Sequence, residues 1–175
     1  MLDGEIKEQL KQVFAPLEKS VDLVYHLSSH TNQSELVAML EDVSSASEKI
    51  SARASGKQSQ APSLSLERDG KPTGITFRGI PGGHEFTSLI LAILNADGKG
   101  KIPDGGIAAR IRNLKGPIRI KTYISLTCEN CPDVVQALNQ MALLHPDFQH
   151  EMVDGGYAQD EIAAIGIQGV PTIAV

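Results

Sequence analysis

The chain repeats itself, and that constrains its fold more than any single residue does. Shifted by 98 positions, Ser34-Glu35-Leu36-Val37-Ala38-Met39-Leu40 falls on Pro132-Asp133-Val134-Val135-Gln136-Ala137-Leu138. Likewise Val21–Leu27 falls on Arg119–Ser125, and Lys49–Ala54 on Asp147–Met152. Ala61-Pro62-Ser63-Leu64-Ser65-Leu66 then answers Val170-Pro171-Thr172-Ile173-Ala174-Val175 at a shift of 109. Four segments recurring in one order imply two copies of the same supersecondary unit.

Hydrophobic periodicity says what that unit contains. Leu2, Ile6, Leu10, Val13, Phe14 and Leu17 share one face of a helix. Val21–Leu27 reads as a strand, Ser34–Val43 as a second amphipathic helix and Lys49–Ala54 as a weaker strand, with polar Gly56–Gln60 as a loop. Ser63–Leu66 and Gly74–Phe77 flank Asp69-Gly70-Lys71-Pro72 as an antiparallel hairpin does. Glu85–Leu94 is a strongly apolar helix, and the glycine-rich stretch Asn95–Gly106 is a linker. Beyond it come a short helix (106–114), a strand (117–126), a helix after Cys131 running to Leu144, and a strand (148–153). A short helix (158–165) and a proline-led buried strand (170–175) complete the pattern. The class is α/β, divided at the linker into units 1–97 and 98–175.

The repeat is informative where it fails. Cys128-Glu129-Asn130-Cys131 falls on His30-Thr31-Asn32-Gln33, so only the second unit carries thiols. The first unit continues past its proline-led strand through a hairpin and a helix; the second stops at once. A parent protein running beyond Val175 is therefore expected, with the second unit truncated here.

Composition excludes several function classes. A formal net charge of -5 with scattered Lys and Arg gives no basic footprint for nucleic acid. The longest apolar run, Leu89–Leu94, is too short to cross a bilayer, and the N-terminus lacks the charge and apolar stretch of a secretory signal. The expected location is cytoplasmic. In that reducing compartment two cysteines three apart do redox work or bind metal.

A Cys-x-x-Cys at a strand-to-helix junction is chemically primed. Unpaired N–H groups and the positive end of the helix dipole favour thiolate at Cys128. Cys131, one turn on, can close on it as the resolving thiol. Pro132 suits the first helical turn because its missing N–H has no helical partner to lose. Asp133 complements the dipole, whereas the charge of Glu129 repels a neighbouring thiolate. Zinc binding is the rival reading, with His145 and His150 as the other candidate ligands, but their spacing does not suit a knuckle-type site. Pro171 opens a strand, and a cis Val170–Pro171 peptide explains so unusual a place; the alternative is an ordinary trans proline. Facing the cysteines, a cis proline leaves a backbone edge free for a substrate peptide and keeps metal off the thiols. His26, His30 and His84 are assigned no role.

Three segments give a specific resemblance: Gly83-His84-Glu85-Phe86-Thr87-Ser88-Leu89, Cys131-Pro132-Asp133-Val134-Val135-Gln136-Ala137-Leu138-Asn139, and Gly169-Val170-Pro171. They resemble the N-terminal domain of the flavoprotein subunit of bacterial alkyl hydroperoxide reductase, over essentially the whole chain. The resemblance implies two fused thioredoxin-like units with mixed sheets flanked by helices. It also implies electron transfer from a following flavin domain, which oxidises NADH, through Cys128 and Cys131 to the disulfide of a peroxiredoxin. Pro171 is then the cis proline, and Glu85 a carboxylate near the cysteines that shuttles a proton. Independently of family, Glu85 reads as a first-turn carboxylate complementing a helix dipole. Family members often have His where Glu129 stands. No Gly-x-Gly-x-x-Gly occurs, so FAD and NADH are expected in the remainder of the parent protein, as is any homodimer contact. The rival functions are a free-standing general protein disulfide oxidoreductase and a zinc-binding docking module.

Overall fold

A computed structural model describes all 175 residues. Helix α1 (Gly4–Phe14) is capped by Asp3, whose carboxylate accepts the Ile6 N–H at 2.9 Å. Leu10, Phe14 and Leu17 are buried, while Val13, expected among them, is 39% exposed. It stands at the margin of the apolar stripe, about 100° around the helix from Phe14. The first half continues through β1 (Val21–Leu27), α2 (Gln33–Ser44), β2 (Ile50–Gln58), β3 (Ser63–Arg68) and β4 (Lys71–Arg78). A 3-10 turn (Gly83–Glu85) then leads into α3 (Phe86–Ala96). The second half comprises α4 (Gly105–Arg112), β5 (Ile118–Ile124), α5 (Cys131–Leu144), β6 (Phe148–Asp154), a 3-10 turn (Gly155–Tyr157), α6 (Gln159–Ile165) and β7 (Thr172–Ala174).

Strand pairing reproduces the internal repeat. β1 pairs with β2 in parallel and with β3 antiparallel; β5 pairs with β6 in parallel and with β7 antiparallel. The expected α/β architecture is present, and the strands of both halves lie in one seven-stranded sheet, β2-β1-β3-β4-β6-β5-β7. The join is the parallel pair β4–β6, with Ile75 opposite His150 and Phe77 opposite Met152.

Some local expectations are corrected. Gly56–Gln58, read as loop, extends β2, because backbone pairing with β1 continues past a register shift between Tyr25 and Leu27. Main-chain bonds hold that end, so its polar side chains gave no strand signal. The hairpin turn is Asp69-Gly70, both at positive φ (49° and 76°), and Lys71 and Pro72 already belong to β4. Asn95 and Ala96, read as linker, belong to α3, and Asp97 after them is buried and accepts the Lys19 N–H at 2.6 Å. β7, expected to be buried, leaves Ile173 50% exposed. It pairs only with β5, at the edge of the sheet.

Helices α1, α2, α3 and α5 enclose one contiguous core, with Phe14, Leu23, Leu36, Leu64, Phe77 and Leu89 among its fully buried members. Each contributes about 1.5–3 kcal/mol relative to exposure. α5 lies across β4, β5 and β6 and packs against α3. The opposite face carries a smaller cluster of Tyr123, Val153 and Ala158 beside α6. No helix is long and apolar enough to cross a membrane.

Candidate active site

At the end of β5 the chain turns and enters α5. The Cys128 N–H closes this turn on the Ser125 carbonyl at 3.0 Å, and Cys131 is the first residue of the helix. The two cysteines form a disulfide with Cα atoms 5.5 Å apart. Their accessibilities differ: Cys131 is fully buried in the main core, whereas Cys128 is half-buried. Asn130 makes no side-chain cap, so first-turn N–H groups of α5 stay free of a capping oxygen. Val135, fully buried one turn beyond Cys131, fixes the rotation of the helix. Such an arrangement supports a thiolate at Cys128 and a shielded partner at Cys131 once the bond is reduced.

The Val170–Pro171 peptide is cis, as is Gly116–Pro117, which no sequence signal marked out. Antiparallel pairing places Tyr123 opposite Thr172, so Pro171 stands level with the end of β5, from which the chain runs to Cys128.

Glu85 comes from the thiol-free half. It ends the Gly83–Glu85 turn, which packs against α5 and is held to the cysteine-bearing turn by the His84 N–H donating to the Leu126 carbonyl at 3.1 Å. Gly83 has φ +52°, and a Cβ there would sit 2.7 Å from that same carbonyl, so only glycine permits the approach. Glu85 is fully buried, its side chain caps no helix, and neither carboxylate oxygen has a hydrogen-bond partner. Burial pushes its pKa up, opposed by the neighbouring Ser88 hydroxyl and the charge of His84.

The histidines proposed as zinc ligands are engaged elsewhere. Buried His150 lies between Asn139 Oδ1 (2.7 Å from Nδ1) and Thr122 Oγ1 (2.8 Å from Nε2). The pairing implies that Nδ1–H donates to Asn139 while Nε2 accepts from Thr122. Burial lowers the His150 pKa to about 4. His145 Nε2 meets the Leu114 carbonyl at 2.7 Å, and its Nδ1 accepts the Asp147 N–H at 3.0 Å. Both rings are thus engaged in hydrogen bonds within the protein.

Sequence reading missed the residues around these groups. Ser88, fully buried, accepts from Gln136 Nε2 at 3.2 Å between α3 and α5. In the thiol-free unit, Asn32 Nδ2 donates to the Tyr157 hydroxyl at 2.9 Å and the His30 ring packs edge-on against Tyr157 at 5.1 Å. The equivalent of the cysteine loop thus grips the second unit. Spacing within one helix could have flagged Ser88 beside Glu85; contacts 125 positions apart leave no local trace.

The fold and its disulfide define a thioredoxin-like oxidoreductase of the Cys-x-x-Cys kind. No family model matches the chain. It is 40% identical over 173 residues to the alkyl hydroperoxide reductase AhpF of Pseudomonas aeruginosa and 41% identical to the Staphylococcus aureus protein of that name. A Bacillus subtilis relative, 39% identical, is called NADH dehydrogenase. Each match covers 99% of this chain, which spans about a third (33–34%) of those relatives. The crystal structure of the N-terminal domain of Enterococcus faecalis AhpF superposes with a TM-score of 0.90 at 32% identity, covering 99% of this chain and 90% of that one. A protein disulfide oxidoreductase from Aeropyrum pernix shares the fold, with a TM-score of 0.85 at 18% identity. The chain belongs to the family of N-terminal domains of the alkyl hydroperoxide reductase AhpF.

Proposed function

We propose that the chain is the electron relay of a longer reductase, taking two electrons from a flavin domain and delivering them to the disulfide of a peroxiredoxin. The observation that carries this reading is the asymmetry of the pair: one sulfur half-buried at a helix start, its partner fully buried behind it. The names of the relatives supply the context, a hydroperoxide reductase and an NADH dehydrogenase. FAD and NADH belong to the remainder of the parent protein, as does any homodimer contact, and the relay works in the cytoplasm. The units divide at 1–97 and 98–175.

Reduced Cys128, as thiolate, attacks one sulfur of the partner disulfide, forming a mixed disulfide and releasing the other sulfur as a thiolate that takes up a proton. The Cys131 thiol loses its proton and attacks Cys128; the second partner thiolate leaves and the pair closes. Two electrons pass to the partner. Pro171, at the end of β5, leaves a backbone edge for the incoming segment, and buried Glu85 accepts and returns the proton of the Cys131 step.

Trapping tests the relay. Cys131→Ser should hold a peroxiredoxin as a mixed disulfide on Cys128, identified by mass spectrometry, and Cys128→Ser should hold none. Capture of a broad set of unrelated proteins would instead indicate a general disulfide oxidoreductase. Full function with both cysteines replaced by serine would indicate a docking module.

A further inference from the structure

Glu85 is a carboxylate in an unusual position, fully buried with neither oxygen in a hydrogen bond. What surrounds it determines when it is charged. Three residues on, facing the same side of the α3 entry, is Ser88, also fully buried. Ser88 Oγ is already addressed from α5, where Gln136 Nε2 donates to it at 3.2 Å. A hydroxyl has one hydrogen to give and two lone pairs. With Gln136 occupying a lone pair, the Ser88 O–H remains available to donate, and the carboxylate three residues before it is an acceptor without a partner.

From this arrangement we infer that Ser88, held by Gln136, is the donor that governs when Glu85 carries a proton, which rests on the proton role proposed for Glu85 above. The assignment is directional. When Glu85 is neutral, the hydroxyl has little to gain by turning toward it. When Glu85 ionises, the Ser88 O–H turns to the carboxylate and stabilises the charge against the desolvation that opposes it. Gln136 sits on the helix that begins with Cys131, which ties this serine to the thiol-bearing element. Ser88 and Gln136 act through Glu85 rather than on the sulfurs; both are positioning residues.

The test uses the full chain in its reduced form, with two readouts. Carbon-13 NMR of labelled glutamate, assigned with Glu85→Gln, follows the carboxyl directly as pH is varied. The rate of Cys128 alkylation over the same range follows the thiol. Ser88→Ala, a mild change within a helix, should move the Glu85 midpoint to higher pH by about half a unit or more. Gln136→Leu should move it in the same direction by less. Ser88→Ala should add nothing to the alkylation profile of Glu85→Gln. An unmoved carboxyl midpoint in Ser88→Ala overturns the inference, whatever the thiols do. A midpoint that moves while the alkylation profile of Glu85→Gln matches wild type upholds the role of Ser88 and overturns the proton shuttle instead.

Discussion

At the level of single residues, one exposed charge and one buried neutral ring each set a pH-dependent expectation. Glu129 is exposed and adjacent to Cys128, so its negative charge opposes the thiolate that the helix start favours. Glu129→His removes that repulsion and should lower the Cys128 thiol pKa, read from the ultraviolet absorbance of the thiolate. An unchanged or raised value rejects the electrostatic account. His150 is the second case. Its folded pKa of about 4 lies below the ordinary 6.5 because burial excludes the charged form. Between those values the unfolded chain binds a proton that the folded one does not. The stabilisation it provides is complete above 6.5 and is lost as pH falls through that window, by about 3 kcal/mol at most. Denaturant unfolding at a series of pH values should show this loss, and His150→Leu should flatten it. That variant also leaves Thr122 and Asn139 without their shared partner, at a cost of about 1–3 kcal/mol for each group left unsatisfied. A pH dependence identical to wild type would contradict the assignment.

Elements meet most tightly at the β4–β6 seam and at the helix above it. Gly74 lies in β4 at φ +84°, and a Cβ there would approach the Phe148 carbonyl oxygen of β6 to 2.4 Å. Gly74→Ala combines a backbone conformation that side chains disfavour with a clash against main chain. It should destabilise the fold by about 2–4 kcal/mol, visible as a lowered denaturant midpoint. Gly70→Ala offers the control: its φ is also positive, +76°, but nothing lies within 4 Å, so its cost is confined to backbone strain. Equal losses in the two variants would remove the seam from the explanation. α5 spans the same seam, which is why the thiol-free half can place Glu85 and Ser88 against the helix that begins with Cys131.

Across the whole molecule, Arg78 ties the halves together on the face opposite the main core. Its guanidinium meets Glu151 of β6 at 2.5 Å and Glu161 of α6 at 2.6 Å. Glu161 also receives Lys121 and the Tyr123 hydroxyl. The hydrogen bonds from Arg78 and Tyr123 hold the Glu161 carboxyl down at about 2, while burial and Glu161 push Tyr123 up to about 12. Because the folded carboxyl is the stronger acid, its contribution is full above the ordinary value of 4.5 and disappears as pH falls toward 2. Arg78→Met keeps the stem and removes the charge. Its unfolding midpoint should fall at neutral pH and converge on wild type only as pH drops below about 2, where Glu161 becomes protonated in both. A gap that persists in acid would mean that packing of the arginine stem, not its charge, makes the link.

Local chemistry was readable from the sequence wherever one short segment sufficed. The Cys-x-x-Cys at a helix start, the Val-Pro step and the repeat of strand, helix and strand all depend on neighbours in the chain. α5 accordingly follows the cysteine turn and ends at Leu144, as periodicity predicted. The polar end of β2, the exposure of β7 and the partners of His150 were not readable, because pairing and burial there depend on strands distant in sequence. Tertiary structure alone decided that two similar units share one sheet through β4 and β6, and that Gln136 of α5 meets Ser88 of α3. Periodicity reports which side of an element is apolar; it carries no information about which other element will cover that side.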